Sequence, residues 1–95
     1  ENWILRKTNV VRLTRNSSLL ERALAEESMV DWFQSRGVSE DFYAIHGGAV
    51  PLLSLENDLL GTLCISGLPD TEDHSAAMEI LRNYKTLKYL LVYRK

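Results

Sequence analysis

Only two stretches of this 95-residue chain read as strands, residues 42–55 and 59–66, and that shortage limits what it can fold into. The first is broken by Gly47 and Gly48. The second returns from a turn at Glu56, Asn57 and Asp58 to make a hairpin. An isolated hairpin is marginal in water even when one face is covered. Its outer backbone groups need partners, so the sheet is expected to be completed by a further segment or by another subunit. The fold class expected is α/β (α+β): one domain over residues 1–95, with an antiparallel sheet flanked by helices.

The hairpin leads directly into the stretch on which a site can be built. Gly61 to Leu81, GTLCISGLPDTEDHSAAMEIL, alternates like a strand, breaks at Gly67 and Pro69, and resumes with helical spacing from Asp70 and Thr71. Strand, tight loop and helix N-terminus place backbone N–H groups and a positive dipole end beside Ser66, Asp73 and His74. On the strand, Leu59, Gly61, Leu63 and Ile65 share one face and Leu60, Thr62, Cys64 and Ser66 the other. The first face is expected to meet a helix. The second, small and half polar, suits a site or another subunit.

The helices read from their caps. Asn2 caps a first helix with Trp3, Ile4, Val10 and Val11 along one stripe, and Lys7 falls in its middle. Two readings of Lys7 follow: its stem packs while the ammonium reaches water, or it points at an acidic or anionic group. Ser18 and Glu21 have capping-box spacing for a second helix over residues 19–26. Ser28 and Asp31 have it for a third that ends near Arg36, with Gly37 as the left-handed stop. Trp32 and Phe33 there are expected to be core anchors. The last helix is expected from Thr71 to about Val92, acidic early and basic late, which complements its dipole. Pro51 has no N–H to donate, so its strand is expected to be an edge or irregular there.

Composition excludes several classes of function. A chain this short buries about 60–65% of its extended surface, so its core is modest. A net charge of −2 and a pI near 5.6 give no global attraction to nucleic acid or to anionic lipid. The longest apolar run, Tyr89 to Tyr93, is far below the roughly 20 residues needed to span a bilayer. The lone Cys64 allows no internal disulfide and no thiolate metal cluster, and fits a reducing, cytoplasmic setting. Inside a strand its thiol is expected to be inert. His46 and His74 offer imidazoles without further metal ligands at motif spacing. Alternatively, His46 hydrogen-bonds the glycine pair while Asp73 or His74 closes the Ser66–Pro69 loop. A helix N-terminus is expected to lower the pKa of His74. No phosphate loop, nucleotide fingerprint or carboxylate pair is present.

The combination of WILRKTNVVR (Trp3 to Arg12), Ser17-Ser18, YAIHGGAVP (Tyr43 to Pro51) and, above all, GTLCISGLPDTEDH (Gly61 to His74) resembles the haem-degrading, HbpS-like domain family, in its bacterial and fungal branch. The resemblance implies profilin-like layering of sheet and helices, assembly into homo-oligomers, and a further helix and strands ahead of residue 1. It also implies binding or breakdown of haem or another tetrapyrrole. The pattern positions are His46, Gly47, Gly48, Ser66, Gly67, Asp73 and His74, with Arg6 and Lys7. The expected function is binding of a small anionic or haem-like ligand without turnover, with Lys7, His46, Gly47, Gly48, Ser66, Gly67, Asp73 and His74 as its contacts. The alternative is an oligomeric adaptor that binds other proteins, in which the same residues shape a bulge and a loop.

Overall fold

The computed structural model describes residues 2–84. The elements run α1 (Trp3–Thr14), α2 (Ser18–Ser28), α3 (Trp32–Arg36), β1 (Ala49–Leu53), β2 (Leu59–Cys64) and α4 (Asp70–Tyr84). The expected helix beyond residue 84 lies outside the described residues. Strands β1 and β2 pair antiparallel in a two-stranded sheet, Ala49 opposite Cys64 and Leu52 opposite Gly61, with a register shift between Leu52 and Leu53. Helices α1 and α4 both pack against this hairpin. The α+β architecture is the one expected, and its sheet is small.

Local chemistry explains the boundaries. Asn2 Oδ1 accepts from the Leu5 amide and opens α1, and Gly37 at φ 68° stops α3. The second helix begins one residue earlier than the capping box suggested: Ser17 Oγ, not Ser18, accepts from the Leu20 amide. That frees Ser18, which is buried, to accept from the Ala49 amide at 3.2 Å. Likewise Asp31, not Ser28, caps α3 through the Gln34 amide.

The first extended stretch shortens to Ala49–Leu53 because residues 42–44 are strapped to α1 instead of to a strand. Asn9 Nδ2 donates to the Phe42 carbonyl at 2.8 Å, and the Ala44 amide donates to the Arg6 carbonyl at 3.2 Å. On α1, Val10 and Val11 are buried as expected, but Trp3 and Ile4 are exposed at 39% and 49%. Both faces of the hairpin are covered. Val50 and Leu52 are buried on one side and Ala49 and Thr62 on the other. The half-polar face therefore meets a helix, with α1 packed against both strands and its Thr8 buried.

The core gathers around Val10, Ala25 and Trp32, with Phe33, Val38, Tyr43 and Ile45 against it. Trp32 is the anchor its sequence context suggested, and a buried carboxylate holds its indole. Glu21 Oε1 accepts from Trp32 Nε1 at 2.9 Å and from Arg36 Nη2 at 3.0 Å, while Oε2 accepts from Asn16 Nδ2 at 2.7 Å. Burial works to raise the Glu21 pKa, but the bonds from Asn16 and Trp32 and the charge of Arg36 outweigh it and hold the carboxyl below its ordinary value. A depressed folded pKa means stability that is fully present above the unfolded glutamate value and is lost as pH falls through the folded one. Urea melts are therefore expected to weaken between about pH 5 and 3 in the wild type. Glu21→Gln, which has no charge to lose there, should flatten that part of the profile.

Candidate functional site

The site begins with a cation that is almost sealed from water. Lys7 and Asp73 side chains are each 3% exposed, and Lys7 Nζ lies 3.1 Å from Asp73 Oδ2. The ammonium also donates to the Gly47 carbonyl at 2.7 Å and the Ile65 carbonyl at 3.2 Å, so each of its three N–H bonds has an acceptor. The reading in which Lys7 snorkels to water is thereby overturned. A lysine on a stripe of valines is held by an acidic partner from α4, 66 positions later.

Asp73 is equally committed. Its second oxygen, Oδ1, accepts from the Leu68 amide at 2.9 Å and closes the Ser66–Pro69 loop. Gly48 fills the remaining space, at φ 134°. A Cβ there would strike the Ile65 carbonyl oxygen and come within 2.9 Å of Lys7 Nζ and 3.0 Å of Asp73 Cβ. The Gly47-Gly48 pair thus marks a close backbone approach, not a bulge; the register shift occurs at Leu52 and Leu53 instead. Lys7, Gly47, Gly48 and Asp73 form a clasp that ties α1, the start of β1, the end of β2 and α4 together.

Above this clasp opens a concavity of about 360 Å³, lined by Trp3, Lys7, His46, Ser66, Gly67, Leu68 and Asp73. Five of the expected contact residues, Lys7, His46, Ser66, Gly67 and Asp73, line it. Gly47 and Gly48 lie behind the Lys7 ammonium, and His74 is not among the lining residues. Trp3 and Leu68 are additions that the sequence patterns did not single out. Trp3 falls on the stripe expected to be buried, and Leu68 is an apolar residue alone between Gly67 and Pro69. An exposed aromatic one step after a helix cap was the available signal.

His46 lines the concavity beside Trp3. Its ring meets the Trp3 ring edge-on, with centroids 4.9 Å apart, and the Arg6 guanidinium carbon lies 4.6 Å from the centroid of the same indole. Partial burial lowers the His46 pKa, and the charges of Arg22, Lys7 and Arg6 lower it further. The imidazole is therefore neutral at pH 7 and keeps a nitrogen lone pair. The His74 pKa is also lowered, by burial, and its Nδ1 has no hydrogen-bond partner among the described residues. Cys64 is half-buried and its thiol is pushed up by burial, which makes it a poor nucleophile. No cluster of three or more His, Cys, Asp or Glu arranged for a metal ion occurs among the described residues, and no helix there is long and apolar enough to cross a membrane.

A small α+β unit whose loop and helix N-terminus are clasped to its first helix is the class that this geometry defines. The chain belongs to the HbpS-like family, described as haem degrading protein HbpS-like, whose pattern it matches over residues 1–82. It is 42% identical over 79 residues to a UPF0303 protein of Lactiplantibacillus plantarum, an alignment covering 83% of this chain and 51% of that protein. A UPF0303 protein of Streptomyces avermitilis is 36% identical over 84 residues, covering 88% of this chain and 52% of the relative. The crystal structure of the Ybr137w protein superposes with a TM-score of 0.73 at 27% identity, covering 90% of this chain and 50% of that one. The chain thus spans about half the length of the curated relatives it matches.

Proposed function

We propose that the concavity above the Lys7–Asp73 clasp binds a flat, anionic ligand of the tetrapyrrole class without turning it over. The observation that carries this reading is the pairing of a neutral, accessible His46 with the Trp3 ring beneath a cationic neighbour, Arg6. A haem iron needs one protein nitrogen, which His46 can supply, so the lack of a polydentate metal cluster among the described residues is no obstacle. An indole edge offers apolar area to a planar ring, and a guanidinium suits a carboxylate. When bound, haem would bring redox and ligand-binding chemistry; this chain's own residues bind and orient it.

The clasp residues have a different part in this reading. The donors of Lys7 and both oxygens of Asp73 are already spent, so they fix the floor and leave ligand contact to His46, Trp3, Ser66 and Leu68. Turnover finds no support in a half-buried, raised-pKa thiol and an imidazole with no acidic partner.

Titration with haem, followed by absorbance, tests the proposal. A saturable spectral shift is expected, weakened at least about tenfold by His46→Ala. Because the neutral imidazole is the ligating form, affinity should fall as pH drops through the His46 pKa, below its ordinary 6.5. No shift with the wild type, or one unchanged in His46→Ala, overturns the reading.

One observation favours the adaptor reading: Leu55, Met29 and Phe42 are 100%, 91% and 63% exposed. Where such side chains gather into one patch they suit contact with another chain. On this alternative, haem would leave the spectrum unchanged, and loss of the clasp through Asp73→Ala would alter the assembly state in size-exclusion chromatography.

A further inference from the structure

The cations around the concavity differ in what they have left to give. Lys7 spends its three N–H bonds on Asp73 and two carbonyls. Arg22, whose charge is felt at His46, pairs with Glu26 at 3.6 Å. Arg6 is in another state: no carboxylate stands within ion-pair distance of it among the described residues. Its one hydrogen bond to them runs from Nη2 to the Tyr43 carbonyl at 3.5 Å, the long limit of such a bond. Its Nε is shut from water and has no acceptor there. A guanidinium carries five N–H donors in a planar fork, and a buried charged donor left unpaired costs free energy.

Position gives that open fork a use. The Arg6 guanidinium carbon is 4.6 Å from the centroid of the Trp3 ring, and Trp3 lines the concavity while Arg6 stands just outside it. A tetrapyrrole with its side chains is larger than a concavity of about 360 Å³ can enclose, so part of it must project over the rim. The Ser66–Pro69 loop, which supplies Ser66, Gly67 and Leu68 to the lining, carries no charged side chain. Among the described residues, the rim beside Trp3 is where a projecting carboxylate meets a cation with donors to spare, in a geometry that suits both of its oxygens.

We infer that Arg6 reads a carboxylate of the bound tetrapyrrole and that the site takes one such group, the second acidic side chain staying in water. This deepens the tetrapyrrole reading above and rests on it. It makes Arg6 a specificity residue, because a ring of the same shape without a free carboxylate leaves the fork as unpaired as before.

Titrating the protein with haem and with its monomethyl and dimethyl esters tests this, since the esters keep iron and ring and remove one or both carboxylates. Haem is expected to bind at least about tenfold more tightly than the dimethyl ester, the worth of one charge-assisted pair. The monomethyl ester should stay within about threefold of haem. In Arg6→Gln the acid-to-diester ratio should fall to about one, while both ligands still give the spectral shift. Arg12→Gln, exposed on α1, controls for net charge and should leave the ratio as in the wild type. Each ratio is taken within one variant, so a displaced Trp3 or His46 weakens both ligands together and does not move it. A wild-type ratio near one, a ratio that survives Arg6→Gln, or a monoester as weak as the diester overturns this inference and leaves the tetrapyrrole reading standing. No spectral shift with haem overturns that reading and this inference with it.

Discussion

Lys7→Met should destabilise this protein by roughly 3–5 kcal/mol, because it strands the Asp73 carboxylate in the interior without its cation. The Gly47 and Ile65 carbonyls lose the same donor. With a denaturant slope of about 1–1.5 kcal/mol/M for a domain of this size, the urea midpoint should fall by about 2–5 M. Total stability of such domains is only about 5–15 kcal/mol, so the variant should be close to unfolded at the lower end of that range. The double variant Lys7→Met with Asp73→Leu separates charge from packing. Removing both charges deletes the buried unpaired ion, and at least half of the lost stability should return. Single and double variants of equal stability would show that the pair is not what holds α1 to α4.

Gly48→Ala carries the second large effect, and it arises from backbone and space together. The residue adopts φ 134°, which L side chains rarely enter, at a cost of about 1–3 kcal/mol. The added methyl would also press on the Ile65 carbonyl, Lys7 Nζ and Asp73 Cβ. The carbonyl accepts from Lys7 Nζ, and the amide of the same residue donates to the Gly48 carbonyl, so it cannot retreat without disturbing both bonds. We expect a combined loss above about 3 kcal/mol. Gly37→Ala provides the comparison: it has φ 68° with open space around a new Cβ. That variant should lose about 1 kcal/mol. Similar midpoints for the two variants would count against crowding at Gly48.

Much of this architecture was legible because it rests on local rules. Asn2 and Gly37 are read from cap chemistry, the turn at Asn57 from its residue types, and Trp32 as an anchor from its size and setting. Ser17 and Ser18 were ambiguous because adjacent serines can each cap, and only the position of β1 shows which hydroxyl is needed elsewhere. The shortened β1 was hidden for a similar reason. The Asn9 and Arg6 contacts that hold residues 42–44 join positions more than 30 apart, and no periodicity encodes them.

The site was legible as a set of residues and illegible as a division of labour. SGLP, EDH and HGG mark the right loops, and five of their positions and neighbours line one concavity. Spacing cannot say that Lys7 and Asp73 satisfy each other, which turns two apparent ligand contacts into framework. Nor can it say that Trp3 leaves the buried stripe to stand beside His46. These outcomes depend on which partner each polar group finds once the helices dock.

The hydroxyl of Ser18 and the ring of Pro51 have an effect beyond the fold they complete. Runaway stacking of chains into fibres requires a strand that can be matched on its left and on its right. A hairpin with one rim chemically silenced can take a single neighbour and then stops. Stacking of copies through both rims is thereby blocked on the β1 side, where the Ala49 amide is taken and Pro51 has none to give.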